Sequence, residues 1–92
     1  MKWKQTSSNR FYWGEIVVVK VYTTPFCPYC EMVKALLNHH GIAFREVDVR
    51  SDQKAAKEMV SKSGQDGVPV VEIDDKIIVG FDSEKILEAL GL

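Results

Sequence analysis

From Ile16 to Tyr22 the chain runs through β-branched and aromatic residues broken only by Lys20, a nearly continuous apolar stretch that suits a central strand covered on both faces. A loop follows from Thr23 to Phe26. Pro28 then occupies a first helical position, where its missing N–H costs nothing, and Met32, Val33, Leu36 and Leu37 recur at helical spacing as an inner face. Gly41 is well suited to end that helix in a left-handed turn. Ala43 to Val49 reads as a second strand, with Phe44, Val47 and Val49 apolar among Arg45, Glu46 and Asp48. Ser51 or Asp52 caps a second helix that reaches Lys62, buries Ala55, Ala56, Met59 and Val60, and stops at Gly64.

Two short apolar runs, Val68 to Ile73 and Lys76 to Val79, are joined by Asp74 and Asp75 and predict a hairpin. Beyond Gly80 and Phe81, Asp82 or Ser83 caps a last helix carrying Ile86, Leu87 and Leu90. The order is β-α-β-α-β-β-α, an α/β arrangement. Its first two strands, joined by a helix, are expected to be parallel through a right-handed crossover, and its last two antiparallel. A mixed four-stranded sheet flanked by three helices follows.

A chain of 92 residues with 12 basic and 13 acidic side chains and 46% hydrophobic residues describes one domain. Its longest apolar runs, such as Ile16 to Val19 and Ile77 to Val79, fall far short of the roughly 20 residues that cross a bilayer. Residues 1–14 contain basic groups but no apolar stretch and no small-residue cleavage site, so a cytoplasmic address is expected. Charge divides the chain unevenly. Residues 1–14 carry Lys2, Lys4 and Arg10 without an acid, +3, against 9 basic and 13 acidic residues in the remainder, −4. A boundary near Glu15 is predicted, with residues 1–14 a flexible basic and aromatic leader and residues 15–92 the folded domain. Neither nucleic acid nor a membrane is expected as a partner, and a monomer is expected. Glu72, Asp74 and Asp75 read as a solvated hairpin, and Met32 and Met59 as core.

Cys27 and Cys30 change the picture most. A disulfide between them would close a loop of about four residues and add only ~2 kcal/mol, so the pair is poorly explained as a staple. Cys27-Pro28-Tyr29-Cys30 lies at a strand-to-helix junction, and residues three apart on a helix have Cβ atoms about 5 to 6 Å apart, near disulfide geometry. Cys27 falls at the helix N-terminus, where unpaired N–H groups and the dipole favour negative charge on its sulfur, which makes it the predicted nucleophile. Cys30, one turn further in, is the predicted resolving thiol. Zinc is a poor competitor. The only histidines, His39 and His40, stand at the other end of the same helix, ~18 Å from Cys27, so one chain closes no metal site.

Val21-Tyr22-Thr23 before Cys27-Pro28-Tyr29-Cys30, then Ser63-Gly64-Gln65 leading to Val68-Pro69, then Gly80-Phe81-Asp82, together resemble glutaredoxin over roughly residues 15–92. The resemblance implies a thioredoxin-like fold and a thiol–disulfide oxidoreductase acting on protein or glutathione mixed disulfides. It implies no permanently bound cofactor, glutathione as co-substrate, and disulfide-containing proteins and a reductase as partners. Pro69 is then cis, and the main chain of Val68 pairs with bound substrate. Tyr29 packs on a substrate peptide, while Gly80, Phe81, Asp82 and Ser83 stand where the family holds the γ-glutamyl end of glutathione.

The chain also departs from the family pattern. Of the glycine pair and following acids, Val79-Gly80-Phe81-Asp82-Ser83 keeps only the second glycine and the first acid. Thr24 stands where many glutaredoxins have a lysine that can pair with a glutathione carboxylate, and Gly67 where threonine often precedes Val-Pro. These departures leave room for two alternatives: a redoxin recharged by thioredoxin reductase, a flavoprotein, and serving ribonucleotide reductase, or a dimer holding an iron–sulfur cluster through Cys27.

Overall fold

A computed structural model describes residues 18–92. The leader at residues 1–14, and the predicted strand start at Ile16 and Val17, lie outside the described residues. Seven elements follow in the predicted order: β1 (Val19–Thr23), α1 (Pro28–His39), β2 (Arg45–Asp48), α2 (Gln53–Ser63), β3 (Val70–Ile73), β4 (Lys76–Val79) and α3 (Ser83–Leu90). Among the described residues the strands form one sheet in the order β2-β1-β3-β4. β1 pairs with β2 in parallel and with β3 antiparallel, and β3 pairs antiparallel with β4.

β1 is central and covered on both faces, and the alternation of its side chains divides the core in two. Val19 and Val21 join Val33 and Leu37 of α1, Val71, Ile73, Ile78 and Ile86 of α3 in one buried cluster. Tyr22 points the other way, into a smaller cluster with Val70 and with Ala55 and Met59 of α2. Lys20 shares that second face and is half-buried, its ammonium paired with Glu58 of α2 at 3.0 Å.

The helix ends obey the local chemistry of their sequences. Asp52 and Asp82, rather than the neighbouring serines, cap α2 and α3, each accepting the N–H three residues on at 3.0 and 3.1 Å. Gly64 and Gly91 close the same helices with φ of +76° and +79°, a region that penalises a side chain.

Several details differ from expectation. Met32 is 44% exposed, because the buried stripe of α1 is Cys30, Val33 and Leu37, and position 32 lies a third of a turn off it. Val60 is exposed for the same reason, one step beyond Met59 on α2. The hairpin acids are not simply solvated. Glu72 binds Lys62 at 2.9 Å, while Asp74 takes the Val18 N–H on its carboxylate at 3.1 Å and gives its own N–H to the Val18 carbonyl at 3.0 Å. The turn that joins β3 to β4 thereby fastens the start of β1.

Candidate active site

β1 ends at Thr23, and the turn Thr24-Pro25-Phe26-Cys27 carries the chain into α1. Pro25 followed by a positive φ of 61° at Phe26 is the pattern of a type II turn, whose third position favours glycine or asparagine. Phe26 occupies it at a cost of roughly 1 to 2 kcal/mol and is 95% exposed. Cys27 is extended, at φ −109° and ψ 106°, as a residue before proline must be. Its sulfur is itself the helix cap, accepting the Cys30 N–H at 3.2 Å, and its carbonyl accepts the Glu31 N–H at 3.1 Å.

The two thiols are both free and differ in environment. Cys27 is half-exposed, whereas Cys30 is fully buried. Burial pushes the Cys30 thiol from an ordinary 9.0 up to about 11, and the adjacent Cys27 sulfur adds to the rise. The Thr24 main-chain N–H and the Lys34 charge pull against it. Lys34 is anchored one turn beyond Cys30 by Glu31 at 2.7 Å and Glu46 at 2.9 Å, and Glu46 in turn accepts the buried Thr23 hydroxyl at 3.0 Å. Lys34 holds the Glu46 carboxyl below the usual carboxylate range, so the pair is charged at neutral pH.

Sheet register brings a second segment to the same end. Tyr22 of β1 stands opposite Val70 of β3, so Val68 and Pro69 lie beside the strand end from which the Cys27 turn departs. The Val68–Pro69 bond is cis, as the resemblance implies. Pro69 is buried and its carbonyl accepts the Gly80 N–H at 2.8 Å, while Val68 is half-buried and its main-chain groups have no hydrogen-bond partner among the described residues. A side-chain clamp precedes them. The Gln65 carboxamide accepts the Gly67 N–H at 2.7 Å and donates to the Gly67 carbonyl at 3.0 Å. A Cβ at Gly67 would lie 2.8 Å from the Gln65 oxygen, the far end of a flexible side chain, so a side chain there would displace the clamp rather than the backbone.

Gly80, at φ +81°, turns the chain from β4 toward α3 on the same side of the fold. Phe81 packs against the core cluster under α1 and α3. Asp82 spends one carboxylate oxygen on capping α3, and Ser83 opens that helix, half-buried. Tyr29, in the first turn of α1, is 61% exposed. The sheet register and the Gly80–Pro69 bond thus place Val68, Pro69 and Gly80 at the end of the sheet from which the Cys27 turn departs, while His39 and His40 stand at the far end of α1. Phe26, Gln65 and the Lys34–Glu46 pair were missed. No sequence signal marks Phe26, whose positive φ is visible only in the structure, and a spacing of two between glutamine and glycine gives none for the clamp. Among the described residues no three His, Cys, Asp or Glu side chains gather to hold a metal ion, and no helix is long and apolar enough to cross a membrane.

The family model described as Glutaredoxin matches residues 19–78, from the start of β1 to β4. The chain belongs to the glutaredoxin family. A glutaredoxin-like 8.6 kDa protein from the rubredoxin operon of Clostridium pasteurianum is 46% identical over 69 residues, which is 75% of this chain and 92% of that protein. Glutaredoxin 3 of Escherichia coli is 38% identical over 73 residues, covering 79% and 88%. The crystal structure of a glutaredoxin from Archaeoglobus fulgidus superposes with a TM-score of 0.74 at 27% identity, over 84% of this chain and 89% of that one. The fold is therefore thioredoxin-like, and this glutaredoxin is a thiol–disulfide oxidoreductase with a Cys27–Cys30 pair. Disulfide substrates and reductants are its partners.

Proposed function

We propose that Cys27 is the nucleophile and Cys30 the resolving thiol of a glutaredoxin that reduces protein or glutathione mixed disulfides. The observation that carries this reading is the asymmetry of the two sulfurs, one half-exposed and capped by a main-chain N–H, the other buried and holding its proton up to about pH 11. The Cys27 thiolate attacks one sulfur of the substrate disulfide. A Cys27–sulfur bond forms as the substrate bond breaks, and the departing thiolate takes a proton from water. Cys30 then gives up its proton, attacks the Cys27 sulfur and expels the second substrate sulfur as a thiol, and two electrons have passed to the substrate.

The order of these steps follows from what surrounds Cys30. While Cys27 is free, its sulfur is among the groups that raise the Cys30 thiol. In the mixed disulfide that sulfur bears no charge, which leaves the Thr24 N–H and Lys34 to favour the Cys30 thiolate when it is needed. The unpaired main chain of Val68 aligns the substrate backbone beside the sulfurs, with Tyr29, Pro69 and Gly80 around it.

Two glutathione molecules restore the dithiol and leave as glutathione disulfide. Asp82, Ser83 and the N–H groups opening α3 hold the γ-glutamyl end of the first. The opposite carboxylate meets Thr24 in place of a lysine, so glutathione binds weakly. Such a cycle belongs in a reducing compartment such as the cytoplasm.

The test compares turnover of the full chain with glutathione and glutathione reductase against turnover with thioredoxin reductase. Measurable but slow glutathione turnover is expected, abolished by Cys27→Ser and raised about five- to thirty-fold by Thr24→Lys. Cys30→Ser is expected to accumulate the mixed disulfide. Inactivity with glutathione beside rapid reduction by thioredoxin reductase would place this chain with the redoxins recharged by a flavoprotein.

A further inference from the structure

Phe26 contributes nothing to either core cluster, yet the chain holds it in a backbone conformation that a bulky side chain disfavours and projects its ring into water. Among the described residues neither packing nor turn chemistry explains a phenylalanine at a position that favours glycine. Its place in the sequence suggests what does. Phe26 immediately precedes Cys27, and the exposed Tyr29 follows two residues later, so two exposed aromatic residues flank the half-exposed cysteine along the chain. Pro25 and Pro28 fix φ on both sides, so the turn meets a partner already ordered, which lowers the entropic cost of binding.

We propose that Phe26 is a recognition residue for protein disulfides in which an apolar side chain lies next to the attacked cysteine. This inference rests on the reading of Cys27 as nucleophile and deepens it by naming a substrate class. Attack at Cys27 brings the partner's cysteine to that sulfur, which places the partner's neighbouring residue within reach of the ring one position away. A leucine, valine or aromatic residue there buries apolar surface against Phe26. Glutathione gains nothing from it, because its cysteine lies between a γ-glutamyl group and a glycine, neither of which carries an apolar side chain. The exposed ring therefore selects proteins over the small thiol.

Single-turnover reduction by the prereduced full chain tests this without choosing an electron donor. The probes are two synthetic cyclic peptide disulfides, identical except for leucine or serine beside the attacked cysteine, and bis(2-hydroxyethyl) disulfide. The wild-type chain is expected to reduce the leucine peptide about tenfold faster than the serine peptide, equivalent to about 1.4 kcal/mol. Phe26→Ser is expected to bring that ratio near unity, and Phe26→Trp to keep it. Phe26→Gly, which relieves the positive φ, is expected to melt no lower than wild type.

A wild-type ratio near one, or a ratio unchanged in Phe26→Ser, overturns the proposal. So does a drop equal for both peptides and the small disulfide, or a marked loss of stability in Phe26→Gly, since either assigns the ring to the fold. Concentration-dependent dimerisation of the wild type that Phe26→Ser abolishes, with the peptide ratio intact, overturns it in favour of self-association. Failure of wild type to reduce any of the three disulfides overturns the nucleophile reading itself.

Discussion

The two cysteines share a helix turn and differ in burial. Cys30 is buried on the inner face of α1, and its thiol is raised from 9.0 to about 11, first by burial and then by the Cys27 sulfur. A raised thiol favours the folded state while it is protonated. Its contribution is fully present below pH about 9 and is lost as pH climbs through about 11. Reduced protein is therefore expected to lose on the order of 2 to 3 kcal/mol between these limits, seen as a falling urea midpoint, and Cys30→Ala is expected to lack this component. Alkylation is expected to have the matching signature, with iodoacetamide modifying the half-exposed Cys27 first at neutral pH and Cys30 only as pH approaches 11. A titration in which both sulfurs react alike would remove the asymmetry. The spacing of the two cysteines and their place before a helical run were legible in the sequence, because three residues on a helix fix their separation. Burial of one and not the other follows from their place along the axis, since Cys27 caps the open end of the helix and Cys30 lies a turn further in, on the stripe with Val33 and Leu37. Phe26 was not legible, since hydrophobic patterning assigns an aromatic residue to the core and carries no information about a turn that turns it outward.

Elements were read best where a side chain ends them. Asp52 and Asp82 were both candidates for capping, and each accepts the N–H three residues on. Two strands are shorter than the apolar runs that predict them. Val68 and Pro69 lie outside β3, because proline brings no N–H to a ladder, and Ala43 and Phe44 lie outside β2, which pairs with β1 only from Lys20 opposite Arg45. The matched caps also separate two roles that coincide at Asp82. Asp52→Ala and Asp82→Ala each remove one cap and are expected to cost about 1 kcal/mol, a few degrees in Tm. Only Asp82→Ala is expected to lower glutathione turnover, because only that carboxylate lies in the proposed glutathione groove. Equal turnover in the two variants would leave Asp82 with capping alone. The Gln65–Gly67 clamp belongs to this scale as well: a side chain standing in for a strand partner, it braces the main chain just before Val68.

For the whole molecule, the sequence told the order of elements, the mixed sheet and the parallel start, since an apolar run on β1 demands cover on both faces. It could not assign α1 and α3 to one face and α2 to the other, because periodicity within an element says nothing of which neighbour it meets. The register decides that, and it also gathers segments 40 and 50 residues apart at one end of the sheet. There the burial of Cys30 has a kinetic consequence. With one sulfur sealed, an oxidised pair presents a single atom to anything outside, so the molecule that discharges electrons and the molecule that restores them must use the same seat in turn. The site works as a turnstile rather than a corridor. Steady-state kinetics are therefore expected to be ping-pong, with parallel double-reciprocal lines and with disulfide and reductant each inhibiting competitively against the other at high concentration. Intersecting lines would mean that both are held at once, a second seat that the covered sulfur does not provide.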